Sequence, residues 1–284
     1  MALKDILVIC DDTAAAGRRI EVAAALAADH DADLTGLYIR PPVVLPGSFE
    51  TYFTDEMRAA FREEQEARIA VAALGFEERL RRAGRLARSE WRVTFGDPTD
   101  VAVHHGRCRD LVVAGQDDPE APGDEDRVHP ERLVFECGRP VLVVPYVGRF
   151  PTVGRRVLVG WNGSREAARA LGDAMPLLER AQGVTLLAVN PETGADPDSD
   201  SESGNEPGRR VVRHLTRHGI AAEASHFVCE SHEVGDTLLN TTTDLGSDLI
   251  VMGAYGRSRL RSLVLGSLTG FILRHMTVPV LLCH

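Results

Sequence analysis

The chain contains the same order of sequence elements twice, and this internal repeat limits its possible folds more than any other feature. The stretch KDILVICDDTAAAGRRIEVAAALA (4–27) aligns without gaps with RRVLVGWNGSREAARALGDAMPLL (155–178). Each copy has a short apolar run, a polar turn and a stretch with apolar residues at helical spacing. Asp11 falls opposite Asn162 at the end of the apolar run. The alignment predicts two copies of one structural unit.

Two further matches follow in the same order. DLVVAG (110–115) pairs with DLIVMG (248–253), and RPVLVVPY (139–146) pairs with VPVLLCH (278–284). Three matches at a nearly constant offset are hard to attribute to chance. We therefore predict one domain over 1–148 and a second over 154–284, joined near Val147–Gly154.

Strand candidates alternate with helical stretches within each copy. They are short and continuously apolar, as expected when both faces of a parallel sheet are covered: 34–39, 91–95 and 110–114 in the first copy, and 184–189, 222–228 and 248–252 in the second. Residues 55–87 are charged with apolar residues at helical intervals, which predicts one long amphipathic helix. The alternation indicates an α/β fold with right-handed crossovers, and with ligands bound at the carboxyl ends of the strands.

Composition narrows the class of protein. Of the 284 residues, 44% are apolar and 26% charged, as in an ordinary globular protein. No apolar run reaches the roughly 18 residues that a membrane-spanning helix needs, and MALKDILVICDD lacks a signal-peptide pattern, so we predict a cytoplasmic protein without a membrane partner. The formal net charge of −10 argues against nucleic acid as a partner.

One segment of the second copy interrupts its regular pattern. The run ETGADPDSDSESGNEPG (192–208) is acidic, rich in Ser, Gly and Pro, and nearly free of apolar side chains. Such a segment cannot offset the entropy of ordering by burying apolar surface. It is predicted to be a mobile loop.

The stretch GAYGRSRLRSLVLGS (253–267) carries the clearest indication of a binding site. It follows the apolar run DLIVM and precedes a segment with helical spacing, and its glycines are Gly253, Gly256 and Gly266. Glycine lets backbone N–H groups approach an anion closely, and a helix N-terminus adds partial positive charge. The pattern is neither a P-loop nor the G-x-G-x-x-G of a dinucleotide fold. The alternative is three glycines that serve only turns and a helix cap.

The two copies differ in charge at this point of the repeat. The second copy has a basic cluster at Arg257, Arg259 and Arg261, which a small phosphate ligand could use. The first copy instead carries carboxylates after Gly115, which would repel a triphosphate: Asp117, Asp118, Glu120, Asp124, Glu125 and Asp126. We therefore expect one nucleotide site, in the second copy.

The pattern G-x2-G-x9-G-S after a D-L-I-V-M-G strand, closed by VPVLLCH, resembles the nucleotide-binding signature of the universal stress protein (UspA) family. The resemblance implies two tandem Rossmann-like domains of the adenine nucleotide alpha hydrolase type. Each would be a parallel five-stranded sheet flanked by helices. The terminal strands would pair within the chain as a pseudo-dimer, either alone or within a further homodimer.

The resemblance also implies the ligand contacts. Nucleotide-binding members use an Asp at the end of the first strand, where the second copy has Asn162, and an amide could still hydrogen-bond to a sugar or base. The end of the second strand, Val189, would offer backbone groups to adenine. The implied cofactor-binding residues are Gly160, Asn162, Val189, Met252, Gly253, Gly256, Arg257, Gly266, Ser267 and Leu268. Alternatively, Asn162 is a turn residue that caps the next helix, a role equally open to Ser164.

The resulting functional hypothesis is a stress-response protein that binds ATP or another adenine nucleotide in its second domain, some family members doing so with Mg²⁺. No residue is an evident general base beside the phosphates, so any ATP hydrolysis should be slow and the role regulatory. No metal-binding motif is evident among the histidines His104, His105, His129 and His284. The alternatives are a nucleotide-free scaffold for an unknown protein partner and, less favoured, a phosphotransferase or nucleotide hydrolase.

Overall fold

The computed structural model describes residues 2–42, 54–119, 127–189, 208–230, 232–254 and 268–284. Its strands are β1 (Asp5–Cys10), β2 (Asp33–Arg40), β3 (Ser89–Phe95), β4 (Leu111–Gly115), β5 (Val141–Val144), β6 (Arg156–Gly160), β7 (Gly183–Val189), β8 (Ala222–Phe227), β9 (Leu249–Gly253) and β10 (Val280–Cys283). Its helices are α1 (Ala14–His30), α2 (Asp55–Arg82), α3 (Pro98–Gly106), α4 (Pro130–Cys137), α5 (Arg165–Leu178), α6 (Arg209–Arg217), α7 (Val234–Asp244) and α8 (Leu268–His275).

The ten strands form one sheet in which the second half repeats the order of the first. The order across the sheet is β3-β2-β1-β4-β5-β10-β9-β6-β7-β8. Read outward from the centre of the sheet, each half has its fifth, fourth, first, second and third strand. All strand pairs within a half are parallel. The predicted α/β class, with a parallel five-stranded sheet in each copy, is confirmed.

The two halves join through their last strands. β5 and β10 pair antiparallel, with Leu142 opposite Leu281 and Val143 opposite Val280. These four side chains are almost fully buried. The pairing leaves neither terminal strand as an exposed edge, which is the usual hazard of an open sheet. The predicted pseudo-dimer within one chain therefore matches the observed strand pairing.

Two apolar layers cover the faces of the sheet, and each layer continues from one half into the other. One contains Ile6 and Val8 of β1 together with Val157 and Val159 of β6. The other contains Leu7 of β1 and residues of β6, β9 and β10. Because successive strand residues point to opposite faces, a strand buried on both sides must be apolar throughout, as DILVIC nearly is.

Details of the repeat are preserved in the hydrogen bonds. Thr13 and Ser164 are the N-caps of α1 and α5, and their hydroxyl oxygens accept hydrogen bonds from the backbone N–H groups three residues on. At the amino ends of the strands in each half, Asp110 accepts a hydrogen bond from Lys4 N at 2.8 Å, and Asp248 accepts one from Arg156 N at 3.0 Å. The two halves thus use matched polar residues as well as a matched core.

The predicted strands agree with the observed ones to within two residues at either end. The observed helix that begins at residue 55 is shorter than the predicted one, which extended to residue 87. The helix α2 stops at Arg82, and Gly84 has a positive φ of 67° that breaks the helical path. The acidic run predicted as a loop, 192–208, lies outside the described residues except for Gly208. No helix in the described part of the chain is both long enough and apolar enough to cross a membrane.

Candidate functional site

In the second half, the candidate site lies where the strand order changes direction. The chain runs from β6 to β7 on one side and later crosses over to β9 on the other side. Both β7 and β9 are parallel neighbours of β6. Ligands in open α/β sheets bind outside the carboxyl ends of the strands at such a switch point. Gly160 and Gly253 end the two strands that border this crevice.

The described site residues from the sequence lie together at this end of the sheet. Gly160 pairs with Met252 across β6 and β9, and Val189 ends β7 on the other side. The Met252 side chain is buried in the core, so this residue could offer a ligand only its main chain. Leu268 begins α8 and is 38% exposed.

Four of the predicted site residues lie outside the described part of the chain: Gly256, Arg257, Gly266 and Ser267. The same holds for Arg259 and Arg261 of the basic cluster. Their role in holding phosphates therefore stays a prediction.

Asn162 is positioned by the turn before α5. Its Oδ1 atom accepts a hydrogen bond from Ser164 N at 3.1 Å, and the Ser164 hydroxyl in turn accepts one from Ala167 N at 3.1 Å. Ser164, rather than Asn162, is therefore the helix cap. The Asn162 amide nitrogen makes no hydrogen bond to any residue that the structure describes. Since Asn162 is exposed, this group could donate a hydrogen bond to a ligand in the crevice.

Gly253 lets α5 approach the sheet at the edge of the crevice. A Cβ atom on this residue would lie 2.5 Å from the backbone nitrogen of Ala167, a separation that real Cβ atoms essentially never show. Any side chain here would displace the start of α5. The first glycine of the predicted phosphate loop thus has a packing role that the sequence did not show.

Ala254 follows Gly253 and is held by the end of β10. Its backbone N–H donates to the Cys283 carbonyl at 2.8 Å, and its carbonyl contacts His284 Nδ1 at 3.2 Å. The His284 ring stacks on Phe135 of α4, with ring centroids 5.0 Å apart. Ala254, where the chain enters the predicted phosphate loop, is therefore held by Cys283 and His284, and His284 in turn contacts the first half.

The first half has an open cleft at the equivalent switch point, with a volume of about 530 Å³. Asp11 from the end of β1 and Gly115 from the end of β4 line it. The buried side chain of Arg19, from α1, also lines this cleft. Its side chain pairs with the Asp11 carboxylate and donates to the Ile9 carbonyl. Arg19 aligns with Ala170 in the second half, so this ion pair has no counterpart there.

The pKa of Asp11 lies below the ordinary value of an aspartic acid. Burial on its own would raise the pKa, but the Arg19 charge and two hydrogen bonds from Thr13 more than offset this effect. Asp11 is therefore a carboxylate that is already paired within the protein. A ligand that needed this carboxylate would have to compete with Arg19.

A second ion pair lies at the mouth of the same cleft. Arg68 of α2 contacts both carboxylate oxygens of Asp12, at 2.7 and 3.2 Å. The cleft also has Asp117, Asp118 and Arg127 in its lining. Among the described residues of the lining, carboxylates outnumber guanidinium groups four to three, which disfavours a polyphosphate.

Gln116 connects the first-half cleft with the second half. Its Nε2 group donates to the Leu273 carbonyl at 2.8 Å and to the Arg274 carbonyl at 3.2 Å, near the C-terminus of α8. Its Oε1 atom accepts from Tyr146 N at 3.2 Å. The buried side chain thus satisfies carbonyls that the end of α8 leaves unpaired.

Sequence reasoning missed Arg19, Arg68 and Gln116. The repeat itself contained a signal for Arg19, because a charged residue aligns with Ala170 on the buried face of the equivalent helix. No comparable signal identifies Arg68 or Gln116, whose partners are 56 and 157 positions away in the chain. Within the described ranges, no group of three His, Cys, Asp or Glu side chains is arranged to hold a metal ion.

Comparison with known proteins agrees with the fold and the signature. Residues 154–284 match the model of the universal stress protein family. The second half of the chain therefore belongs to the universal stress protein family. The curated protein Slr1230 of Synechocystis, a universal stress protein, is 30% identical over 158 residues, which are 53% of this chain and 49% of that protein. The chain thus spans about half the length of this relative.

A solved universal stress protein has the same fold over nearly the whole chain. A structure from Archaeoglobus fulgidus DSM 4304 covers 98% of this chain and 96% of its own, with a TM-score of 0.72 and 16% identity. At this identity the similarity establishes the fold alone. A universal stress protein solved in complex with cAMP covers 52% of this chain and all of its own, with a TM-score of 0.38 and 19% identity.

Proposed function

We propose that this universal stress protein binds ATP, or another adenine nucleotide, in its second half and acts as a stress-linked regulator rather than a strong catalyst. The observation that carries the proposal is the position of the G-x2-G-x9-G-S signature, which directly follows β9 at the switch point of the second sheet half. We further propose that residues 1–148 and 154–284 are the two domains.

The described donors fit a nucleotide in this crevice. Asn162 would direct its amide nitrogen toward the sugar or base, and the main chain of Val189 would face adenine. The phosphates would contact the Ser267 hydroxyl and the backbone N–H groups of Gly256, Arg257, Gly266, Ser267 and Leu268. Mg²⁺, where it accompanies the nucleotide, would neutralise phosphate charge.

The proposal favours the second half over the first on electrostatic grounds. In the first half, Arg19 already pairs with the carboxylate that corresponds to Asn162, and further carboxylates line the cleft. In the second half the equivalent positions are the neutral Asn162 and Ala170, and three arginines follow in the predicted loop. A polyanion therefore encounters less repulsion there.

The direct test is to identify nucleotide that co-purifies with the recombinant protein, by denaturation and chromatography, and then to titrate the emptied protein with ATP by calorimetry. We expect one ATP per chain. A protein that emerges empty and ignores added ATP would support the alternative of a scaffold for protein partners. Turnover above about 1 per second would instead support an enzyme.

Gly256→Val should weaken ATP binding by about tenfold or more, because a β-branched side chain blocks the approach of backbone N–H groups to a phosphate. The measurement is the same calorimetric titration, with circular dichroism to verify the fold. Gly183→Val is the matched control, since a Cβ at Gly183 has no atom within 4 Å and the residue begins β7. Equal ATP affinity in the two variants would refute the proposed phosphate loop.

A further inference from the structure

A polar cavity lies between the two halves, at the opposite end of the sheet from the nucleotide crevice. Its volume is about 290 Å³. His30, the last residue of α1, lines it from the first half. Arg155, just before β6, and Arg180, just after α5, line it from the second half. The cavity therefore lies beside the end of α1, the start of β6 and the end of α5.

Positive charge predominates in this cavity. Of the described residues that line it, Asp29 alone is a carboxylate, against the guanidinium groups of Arg155 and Arg180 and the imidazole of His30. Neither guanidinium group forms an ion pair or hydrogen bond with a residue in the described ranges. The Asp248 carboxylate, which is next to Arg155, accepts hydrogen bonds from the backbone N–H groups of Gly154 and Arg156.

Other arginines at this end of the sheet do have carboxylate partners. Arg88 pairs with Asp31 at 2.6 Å and with Asp33 at 2.7 Å, and Arg85 pairs with Asp31 at 3.3 Å. Among the residues that the structure describes, neither Arg155 nor Arg180 has such a carboxylate partner. The exposed side chains of Arg155 and Arg180 carry guanidinium N–H donors, the groups that commonly bind a tetrahedral oxyanion.

His30 is sensitive to the charge around it. Its pKa lies below the ordinary value for histidine, first because the ring is partly buried and then because Arg180 and Lys4 repel a proton. Asp29 and Glu179 act in the opposite direction but do not compensate. An anion in the cavity would relieve this repulsion and favour the protonated ring.

We propose that this cavity is a binding site for a small dianion of the phosphate class, held by Arg155, Arg180 and the protonated ring of His30. The ligand would bridge the two halves, because His30 belongs to the first and both arginines to the second. The site is separate from the proposed nucleotide crevice and does not depend on it.

The test is a calorimetric titration of the full chain with inorganic phosphate at constant ionic strength. Arg155→Ala/Arg180→Ala should weaken phosphate binding by about tenfold or more, since hydrogen bonds to charged groups are lost. The control Arg213→Ala/Arg217→Ala removes the same charge from exposed positions on α6 and should bind as the wild type does. The two arginine substitutions should cause the same loss in a Gly256→Val background, which separates this site from the nucleotide loop.

Four results would overturn the proposal. Undetectable phosphate binding is the first, and an equal loss of affinity in the two double-arginine variants is the second. The third is binding of the dicarboxylate succinate without phosphate binding, which would exclude the phosphate class. A loss confined to Gly256→Val would assign the phosphate to the nucleotide loop and would equally contradict the cavity site.

Sulfate tests the role of His30, because its charge is constant across the pH range in which histidine titrates. Sulfate affinity should rise as the pH falls from about 8 to about 6, since the bound anion stabilises the protonated ring. His30→Gln should remove most of this rise while circular dichroism shows a retained fold. A pH dependence that is unchanged in His30→Gln would contradict the three-residue site.

Discussion

Gly253→Ala is expected to lower the free energy of unfolding by about 3 kcal/mol, toward the upper end of the range for overpacked sites. The added Cβ would lie 2.5 Å from the backbone nitrogen of Ala167. A clash with a neighbouring side chain is often relieved when that side chain rotates. Here the added Cβ would meet backbone atoms in the first turn of α5, which cannot rotate away. Relief of the clash requires the helix to move away from β9, and this movement exposes part of the core beneath it.

The matched control is Gly172→Ala, the same chemical change within α5. Gly172 is exposed, its Cβ would have no atom within 4 Å, and it lies in the interior of the helix. Alanine should therefore raise the free energy of unfolding by about 0.5–1 kcal/mol. Urea unfolding followed by circular dichroism measures both variants. The same sign of effect in the two variants would contradict the close approach of α5 to Gly253.

The repeated sequence made most of the fold predictable. A strand buried on both faces needs a continuous apolar run, and runs such as DLIVM are easily recognised. The pairing of β5 with β10 followed from the family resemblance rather than from local pattern. The end of α2 was missed because its charged, helix-favouring residues continue up to Gly84, where the backbone takes a positive φ.

The candidate site was less predictable, because its interactions join distant parts of the chain. The position of Asn162 at the end of β6 follows from the alignment, but its hydrogen bond to Ser164 N fixes its orientation only in the folded turn. The packing role of Gly253 depends on how near α5 lies to β9. Hydrophobic periodicity shows which elements pack, whereas it does not give the distance between them.

Arg19→Ala should lower the free energy of unfolding by about 2–3 kcal/mol at neutral pH. A fully buried ion pair that loses one partner costs about 3–5 kcal/mol, and the cost here is smaller because the Asp11 side chain is 40% exposed. The substitution removes the guanidinium group that contacts both the Asp11 carboxylate and the Ile9 carbonyl. Urea unfolding followed by circular dichroism provides the measurement.

The effect of Arg19→Ala should depend on pH in a defined direction. In the wild type the pKa of Asp11 is lowered, so its stabilising contribution is present above the unfolded-state pKa and is lost as the pH falls through the folded-state pKa. Without the Arg19 charge the pKa of Asp11 rises, so the variant loses less stability on acidification than the wild type does. The difference between wild type and variant should therefore shrink from neutral pH toward about pH 3.

The sequence of the second half points to a second substitution that should restore part of the stability lost in Arg19→Ala. Asp11→Asn combined with Arg19→Ala recreates in the first half the pair that the second half has, Asn162 and Ala170. An amide oxygen can still accept the hydrogen bond from Thr13 N, as Asn162 does from Ser164 N. The double variant should therefore be more stable than Arg19→Ala at neutral pH, by about 1–2 kcal/mol, because no unpaired carboxylate remains. If the two variants were equally unstable, the loss would come from the packing of the Arg19 side chain, and the charge difference between the halves would not explain it.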